Sequence, residues 1–539
     1  MLKEIEKPAS ELTSAEREPG VAVAGVAGAA AVAGRDRAAA RRGLAVLAGL
    51  LVAVLLFHAY TLLRFPSAFV DEGWNAARSW ALLHTGRPFG TLDSGVFENY
   101  PGYWTYFPLL ASAIHAVSLA VLGPSLLAMR LVSFVFGAAL LIVVYITGAR
   151  LGGTRTGLLS VLLLSISIPF LFTSHIARHD IIVAALGFGA VALYVTDDSH
   201  AFSAKSVLSG LAVGLTLDIH LNGIIYIPAI AALYLLDYGP AMFKAKRFWG
   251  YVTGVALALA YFVAIHIAPF PQTFFTLFTL GNGTARTPPL ASGDPALWLR
   301  SVTDAFLMLG QVQALLLVLA LAGLLLRRSP ADKKLLVLFG ALFLLFVAVV
   351  RGKPVFYAII FAPAACLVVG HFLAGLSMLP WRGSPLAYAR TVLIGALVVI
   401  SLAPALVLLG SDPTPDFQAS LNSISRSVPP PASVIGPQTY WFALSGQRYL
   451  SWEQVVYYRR DNPGSNLEDA FRSLHPDYLI VDSFLDEAIK DDKDFGAQGT
   501  PFLYLPKAEM DSFLSKRGRL VSSTDTSTFG NIRVYKLEW

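Results

Sequence analysis

Asp71 and Glu72 stand side by side in the segment Phe69-Val-Asp-Glu-Gly-Trp-Asn-Ala-Ala-Arg78, a few residues beyond the first long apolar run. Carboxylates at the edge of a low-dielectric region hold their protons more tightly than in water. That suits a general base for an acceptor hydroxyl or amine, and the same groups can bind a metal ion. The plainer reading is a capping pair for a helix over 72–83, since Asp is a good cap and acids suit a first helical turn. Glu98 follows in Phe97-Glu-Asn-Tyr-Pro-Gly-Tyr-Trp104. It could pair with Asp71 or hold a divalent ion, although carboxylates alone do not name the ion. The aromatics around it equally fit an interfacial belt. Arg178-His179-Asp180, with His175, lies at the end of another apolar run. Ionisable residues there are costly and usually face a polar cavity. Asp218, His220 and Asn222 have the same character. Arg351 and Lys353, followed by Tyr357, could meet the phosphate of a lipid carrier, with snorkelling to headgroups as the alternative.

The elements that must position these groups are membrane spans. The chain has 539 residues, 55% hydrophobic and only 14% charged, with a mean hydropathy of +0.61. A soluble protein would carry about a quarter charged residues. The composition predicts a polytopic α-helical membrane protein. Residues 1–42 read as a polar cytoplasmic tail ending in four arginines. A first span is expected at 43–63. Later spans are expected at 131–149, 157–174, 181–196, 206–221, 223–238, 248–268, 301–326, 335–350, 355–379 and 390–410. The basic connections fall on one side only if 104–123 lies along the outer surface instead of crossing. That arrangement gives about eleven spans. The N-terminus is inside, the first outer loop is 64–123 with surface helices, and all the candidate site residues lie on the outer side. Residues 411–539 are polar and alternate short apolar runs with helical stretches, which predicts a small extracytoplasmic α/β domain.

Several classes are excluded. The net charge of +6 sits on loops between spans and does not indicate nucleic-acid binding. The single cysteine, Cys366, precludes an internal disulfide and a thiolate metal site. There is neither a GxxxxGK[ST] loop nor a strand–GxGxxG–helix unit to cradle a nucleotide.

The order of motifs resembles a known family. An Asp-Glu pair in the first outer loop is followed by Phe97-Glu98-x-x-Pro101-x-Tyr103-Trp104. Arg130-Leu-Val-Ser133 then starts a span, Arg178-x-Asp180 marks the next outer turn, and Gly352-Lys-Pro354…Tyr357 precedes a late span. This is similar to the GT-C membrane glycosyltransferases, in the group of protein O-mannosyltransferases and the lipid A aminoarabinose transferase. The likeness covers about 60–410. It implies a GT-C-like domain at 43–410 and a polyprenyl-phosphate sugar as donor. It also implies inverting transfer to a lipid, glycan or protein acceptor on the outer face of the cell membrane. By the same resemblance Asp71 is the catalytic acid–base position, with Glu72 its partner and Asp180 a second acidic site residue. Glu98 is the candidate for a divalent metal, the one cofactor suggested. The Lys-Pro that relatives carry after Phe-Glu is replaced here by Asn99-Tyr100-Pro101. The donor phosphate is therefore expected at Arg178, Arg351, Lys353 and His220. A transporter or flippase of a lipid-linked solute is the alternative. The chain has no internal repeat of the kind transporters show.

Overall fold

The computed structural model describes residues 43–283, 293–350, 354–376, 414–490 and 503–539, with scattered positions between 392 and 410. The tail 1–42, the bases Arg351 and Lys353 and most of the expected span 390–410 lie outside the described residues. Residues 50–539 form one compact unit, and the site described below lies wholly within it.

The protein is predominantly helical. α1 (Gly43–Thr61) and α4 (Leu126–Gly152) are single helices long and apolar enough to cross a bilayer. So are the helical stretches Leu221–Lys244, which contains α9 (Tyr226–Tyr238), and Lys246–Ile267, which contains α10 (Lys246–Phe262). Helices occupy the other expected spans in the described residues, several of them shorter or broken. The expected span 157–174 divides into α5 (Thr154–Ser165) and α6 (Ile168–Thr173). Ser167 caps α6, and Pro169 stands in its first turn, where its missing N–H costs nothing. α7 (Asp180–Thr196) fits its expected bounds. α8 (Ala204–Leu215) stops short of 221 and gives way to a 3-10 turn at Thr216–Asp218. After α11 (Pro271–Gly283), the span expected at 301–326 is two helices, α12 (Pro295–Leu307) and α13 (Gln311–Arg327). They are bent by 106° at a break that contains Gly310 with φ +88°. α14 (Pro330–Val349) and α15 (Ala362–Leu376) complete the described membrane region. Hydropathy counts apolar residues and does not register such breaks, which is why the spans read as continuous in the sequence.

The segment 64–123, expected as the first outer loop, forms α2 (Val70–Thr85) and α3 (Leu109–Leu122), joined by 3-10 turns. At 14 residues α3 is about 21 Å long. A hydrocarbon core is about 30 Å thick. One face of α3 is buried through Ala111, His115 and Leu119 while Val117 and Val121 stay exposed, as a surface helix requires.

The C-terminal region opens with α16 (Thr414–Ser427). It continues as β1 (Ser433–Gly436), β2 (Arg448–Ser451), α17 (Glu453–Asp461), α18 (Leu467–Leu474) and β3 (Tyr478–Val481). Then come α19 (Ser483–Ala488), the short pair β4 (Ile489–Lys490) and β5 (Leu505–Pro506), α20 (Lys507–Arg517), β6 (Gly518–Thr526) and β7 (Gly530–Leu537). The main sheet has the order β2-β1-β3-β7-β6. β1 is parallel to β2 and β3, and β7 is antiparallel to β3 and β6. Alternation along each strand sends side chains to two faces. Ile435, Leu450 and Leu479 pack with Phe471 and Phe513 in the domain's own core. Val434, Tyr449 and Ile480 face the other way, into a core shared with Ala76 and Ala77 of α2, Met129 of α4 and Ala177.

Candidate active site

α2 is the central element of the site, and its three faces do different work. Residues three, four and seven apart share a side of a helix. Glu72, Ala76 and Ser79 are buried. Gly73 and Ala77 meet backbone: a Cβ on Gly73 would lie 2.0 Å from the Gln438 carbonyl oxygen, and Gly90 packs on Ala77. Asp71, Trp74, Asn75 and Arg78 line a cavity of about 920 Å³.

Glu72 is fully buried. Its carboxylate accepts Arg130 Nε at 2.8 Å and Nη2 at 2.9 Å. It also accepts the Ala177 N–H at 2.9 Å and the Phe69 N–H at 2.8 Å. Arg130 also donates to the carbonyls of Leu62 and Ser67. Asn75 Nδ2 reaches the Ala177 carbonyl at 2.9 Å. These bonds tie α2, the residues before it and the turn at 175–179 to the start of α4. Glu72 was expected beside Asp71 in the chemistry, but its oxygens are consumed by this lattice and it does not line the cavity. The cap is also placed differently from the expectation. α2 begins at Val70 with Phe69 as N-cap, so Asp71 sits inside the first turn and Glu72 reaches back to the Phe69 N–H.

Asp71 is a third exposed and forms an ion pair with Arg178. Arg178 Nε donates to Asp180 Oδ2 at 2.9 Å, and the guanidinium lies 3.8 Å from the centre of the Phe356 ring. Asp180 is buried, and its second oxygen has no hydrogen-bond partner among the described residues. Asp180 therefore stands behind Arg178 and is not a lining residue of the cavity.

The opposite wall comes from the breaks in the spans. His220 Nδ1 accepts the Asn222 N–H at 3.1 Å. A backbone N–H only donates, so the ring proton is on Nε2, 3.5 Å from the Tyr357 hydroxyl. Tyr357 and Pro354 line the cavity, as does Val350 on the other side of Arg351–Lys353. Asp218 is more heavily engaged than its sequence position suggests. It accepts the N–H groups of Leu109 and Leu110 at the start of α3, at 2.8 and 3.1 Å. Tyr261 Oη donates to it at 2.7 Å, and His266 Nε2 lies 2.8 Å away. His266 Nδ1 lies 2.6 Å from the Thr105 carbonyl. The His266 ring thus bridges the Asp218 carboxylate and the Thr105 carbonyl. His266 is in a π-helical turn, Val263–Ile267, a feature that often marks functional sites. Reading the sequence missed it. The available signal was a lone histidine inside an apolar span. Phe262, Phe274 and Phe278 make an apolar wall beside it.

Arg78 and Trp74 are held on the cavity side by Asp93, which was also missed. Asp93 is fully buried and accepts Arg78 at 2.8 and 2.9 Å and Trp74 Nε1 at 2.5 Å. Glu98, the expected metal ligand, is exposed. It accepts the Gly95 N–H at 2.6 Å and does not line the cavity. Among the described residues no three His, Cys, Asp or Glu side chains are grouped closely enough to hold a metal ion.

Burial pushes the Glu453 carboxyl up to about 7, against the pull of hydrogen bonds from Tyr457 and Gln438. This glutamate starts α17, beside Gln454, whose amide donates to the Leu92 carbonyl, between α2 and α3, at 3.0 Å.

Residues 107–267 match the family model described as dolichyl-phosphate-mannose-protein mannosyltransferase. No curated protein sequence matches the chain. The fold is similar to ArnT from Cupriavidus metallidurans bound to undecaprenyl phosphate. The TM-score there is 0.61 at 15% identity, over 91% of this chain and 97% of that one. The Archaeoglobus fulgidus oligosaccharyltransferase aligns with a TM-score of 0.53 at 13% identity, over 90% of this chain and 74% of that one. The arabinofuranosyltransferase AftD from mycobacteria aligns at 0.55 and 14% identity, over 92% of this chain and 40% of that one. The chain has the GT-C fold of these membrane glycosyltransferases.

Proposed function

We propose that this GT-C-fold protein transfers a sugar from a polyprenyl-phosphate-linked donor to a lipid, glycan or protein acceptor, with inversion, on the outer face of the membrane. The observation that carries the reading is one cavity with three kinds of wall. Asp71 stands at the positive end of α2. Arg178 and the Nε2–H of His220 can meet a phosphate, and Phe262, Phe274 and Phe278 can meet an apolar chain. The undecaprenyl phosphate carried by the similar ArnT structure supports the donor class.

In this mechanism Asp71 takes the proton of the acceptor hydroxyl or amine. The acceptor atom forms a bond to the anomeric carbon from the side opposite the phosphate. The bond from that carbon to the phosphate oxygen breaks, and its electron pair leaves with the polyprenyl phosphate. Arg178 and His220 stabilise the charge that grows on the leaving phosphate, a preorganised electrostatic effect. Arg351 and Lys353 are proposed to add to that charge. Asp180 fixes Arg178, and Glu72 fixes α2. A divalent metal at Glu98 is not part of this mechanism.

The test is purified protein in liposomes with labelled polyprenyl-phosphate sugars. Asp71→Asn is expected to lower transfer by at least about 10²-fold, the lower end for a general base, with the protein still folded. Full transfer by the folded variant would remove Asp71 from the role.

A further inference from the structure

Arg178 has two carboxylate partners and one of them is the proposed base. Asp71 paired with a guanidinium is a weak proton acceptor, because the neighbouring cation favours its charged form. The ion pair with Arg178 therefore holds the base in a locked state. A lipid phosphate entering the cavity presents the ligand that a planar guanidinium binds best. The arrangement around Arg178 allows an exchange of partners without loss of position. Nε is anchored on Asp180 at 2.9 Å, while the Asp71 contact is made by Nη1. The ring of Phe356 supports the guanidinium plane at 3.8 Å. The second oxygen of the buried Asp180 has no hydrogen-bond partner among the described residues, which gives the anchor spare accepting capacity. The Asp71 side chain is the more exposed partner, at 32% against 1% for Asp180, so it is the one free to leave.

We infer that Arg178 is a partner-exchange residue, which holds Asp71 in an ion pair until a polyprenyl phosphate takes its place. Resting on the glycosyl-transfer reading above, this makes phosphate binding the event that frees the base. An acceptor arriving first meets a neutralised carboxylate. When the polyprenyl phosphate product leaves, Asp71 returns to Arg178 and the site locks again. Asp71 and the phosphate thus compete for one cation.

Competition has a signature that simple catalysis lacks: removing the base should tighten binding of the phosphate lipid. The probe is undecaprenyl phosphate, titrated into the full-length protein in nanodiscs. Asp71→Asn is expected to bind it at least about fivefold more tightly than the native protein, the lower end of ordinary coupling between sites. Asp71→Glu keeps a competitor and is expected to stay near the native affinity. The decisive arm is Asp71→Asn in an Arg178→Gln background, where the gain should vanish. Plain repulsion between Asp71 and the phosphate would persist in that background. Asp71→Ser replaces the asparagine variant if the latter does not fold. Equal tightening in both backgrounds, or none in the native background, overturns the exchange while leaving glycosyl transfer standing. Failure of the native protein to bind undecaprenyl phosphate at all overturns both.

Discussion

At the scale of the residue, the pair Asp71–Glu72 divides its labour by burial. Glu72 has every oxygen engaged with Arg130 and backbone N–H groups, whereas Asp71 faces the cavity. Breaking a buried ion pair from one side leaves an uncompensated charge and costs about 3–5 kcal/mol. Glu72→Gln is therefore expected to lower the thermal unfolding temperature in detergent, and Arg130→Met to do the same. Loss of transfer with unchanged unfolding temperature would instead give Glu72 a part in the chemistry. Glu453 provides a pH-dependent term. Its carboxyl is raised from an ordinary 4.5 to about 7 by burial, so the folded protein holds the proton more tightly than the unfolded chain. The folded state binds more protons between those values, and stability contributed by this group falls as pH rises through that window. It is fully present below about 4.5 and lost above about 7. Unfolding temperatures measured from pH 4.5 to 8 should flatten in Glu453→Gln relative to the native protein.

At the scale of the element, α2 is clamped between the membrane core and the α/β domain. Gly73 permits the second contact, since a Cβ there would stand 2.0 Å from the Gln438 oxygen and 2.8 Å from its carbonyl carbon. Both are backbone atoms and cannot swing aside. Gly73→Ala is expected to push the Gln438–Ala443 turn off α2, increase protease cleavage in the C-terminal region and reduce transfer together. The reduction should be milder than that of Asp71→Asn, because the base itself remains. Protease resistance equal to the native protein would show the contact to be dispensable. The same periodicity explains why α2 was only half legible. Acids at the start of a helix over 72–83 were visible; the helix runs from Val70 to Thr85. Which stripe faces cavity, core or domain depends on neighbours that come from residues 130, 177 and 438.

At the scale of the whole molecule, the charge pattern predicts residues 1–42 inside and 411–539 outside, an expectation that labelling tests. Cys366 is the single cysteine and is buried, so introduced thiols can report sidedness. Ser512→Cys on α20 is expected to react with a membrane-impermeant maleimide in intact cells. Lys244→Cys, on a basic connection, should react only after permeabilisation. Reversed labelling would place the catalytic cavity on the cytoplasmic side. The shared core of α2 and the sheet also changes what the C-terminal region is. It supplies Val434, Tyr449 and Ile480 to the packing that holds α2, so it is a structural part of the site's support as well as a domain with a core of its own.

Sequence alone indicated the membrane class, the approximate positions of the helical segments and the α/β character of the C-terminal region, and it singled out Asp71, Arg178, His220 and Tyr357, which the fold brings to one cavity. These follow from local properties: apolar run length, charge placement and short motifs. Tertiary structure alone decided which carboxylate of the pair faces the cavity, that Asp180 serves Arg178 and that Glu98 stands apart from the cavity. It also brought in His266 and Asp93. The reason is that a carboxylate's role is set by what occupies its hydrogen-bonding positions. Those occupants, Arg130 for Glu72, Arg178 for Asp71 and His266 for Asp218, lie about 50 to 110 residues away along the chain.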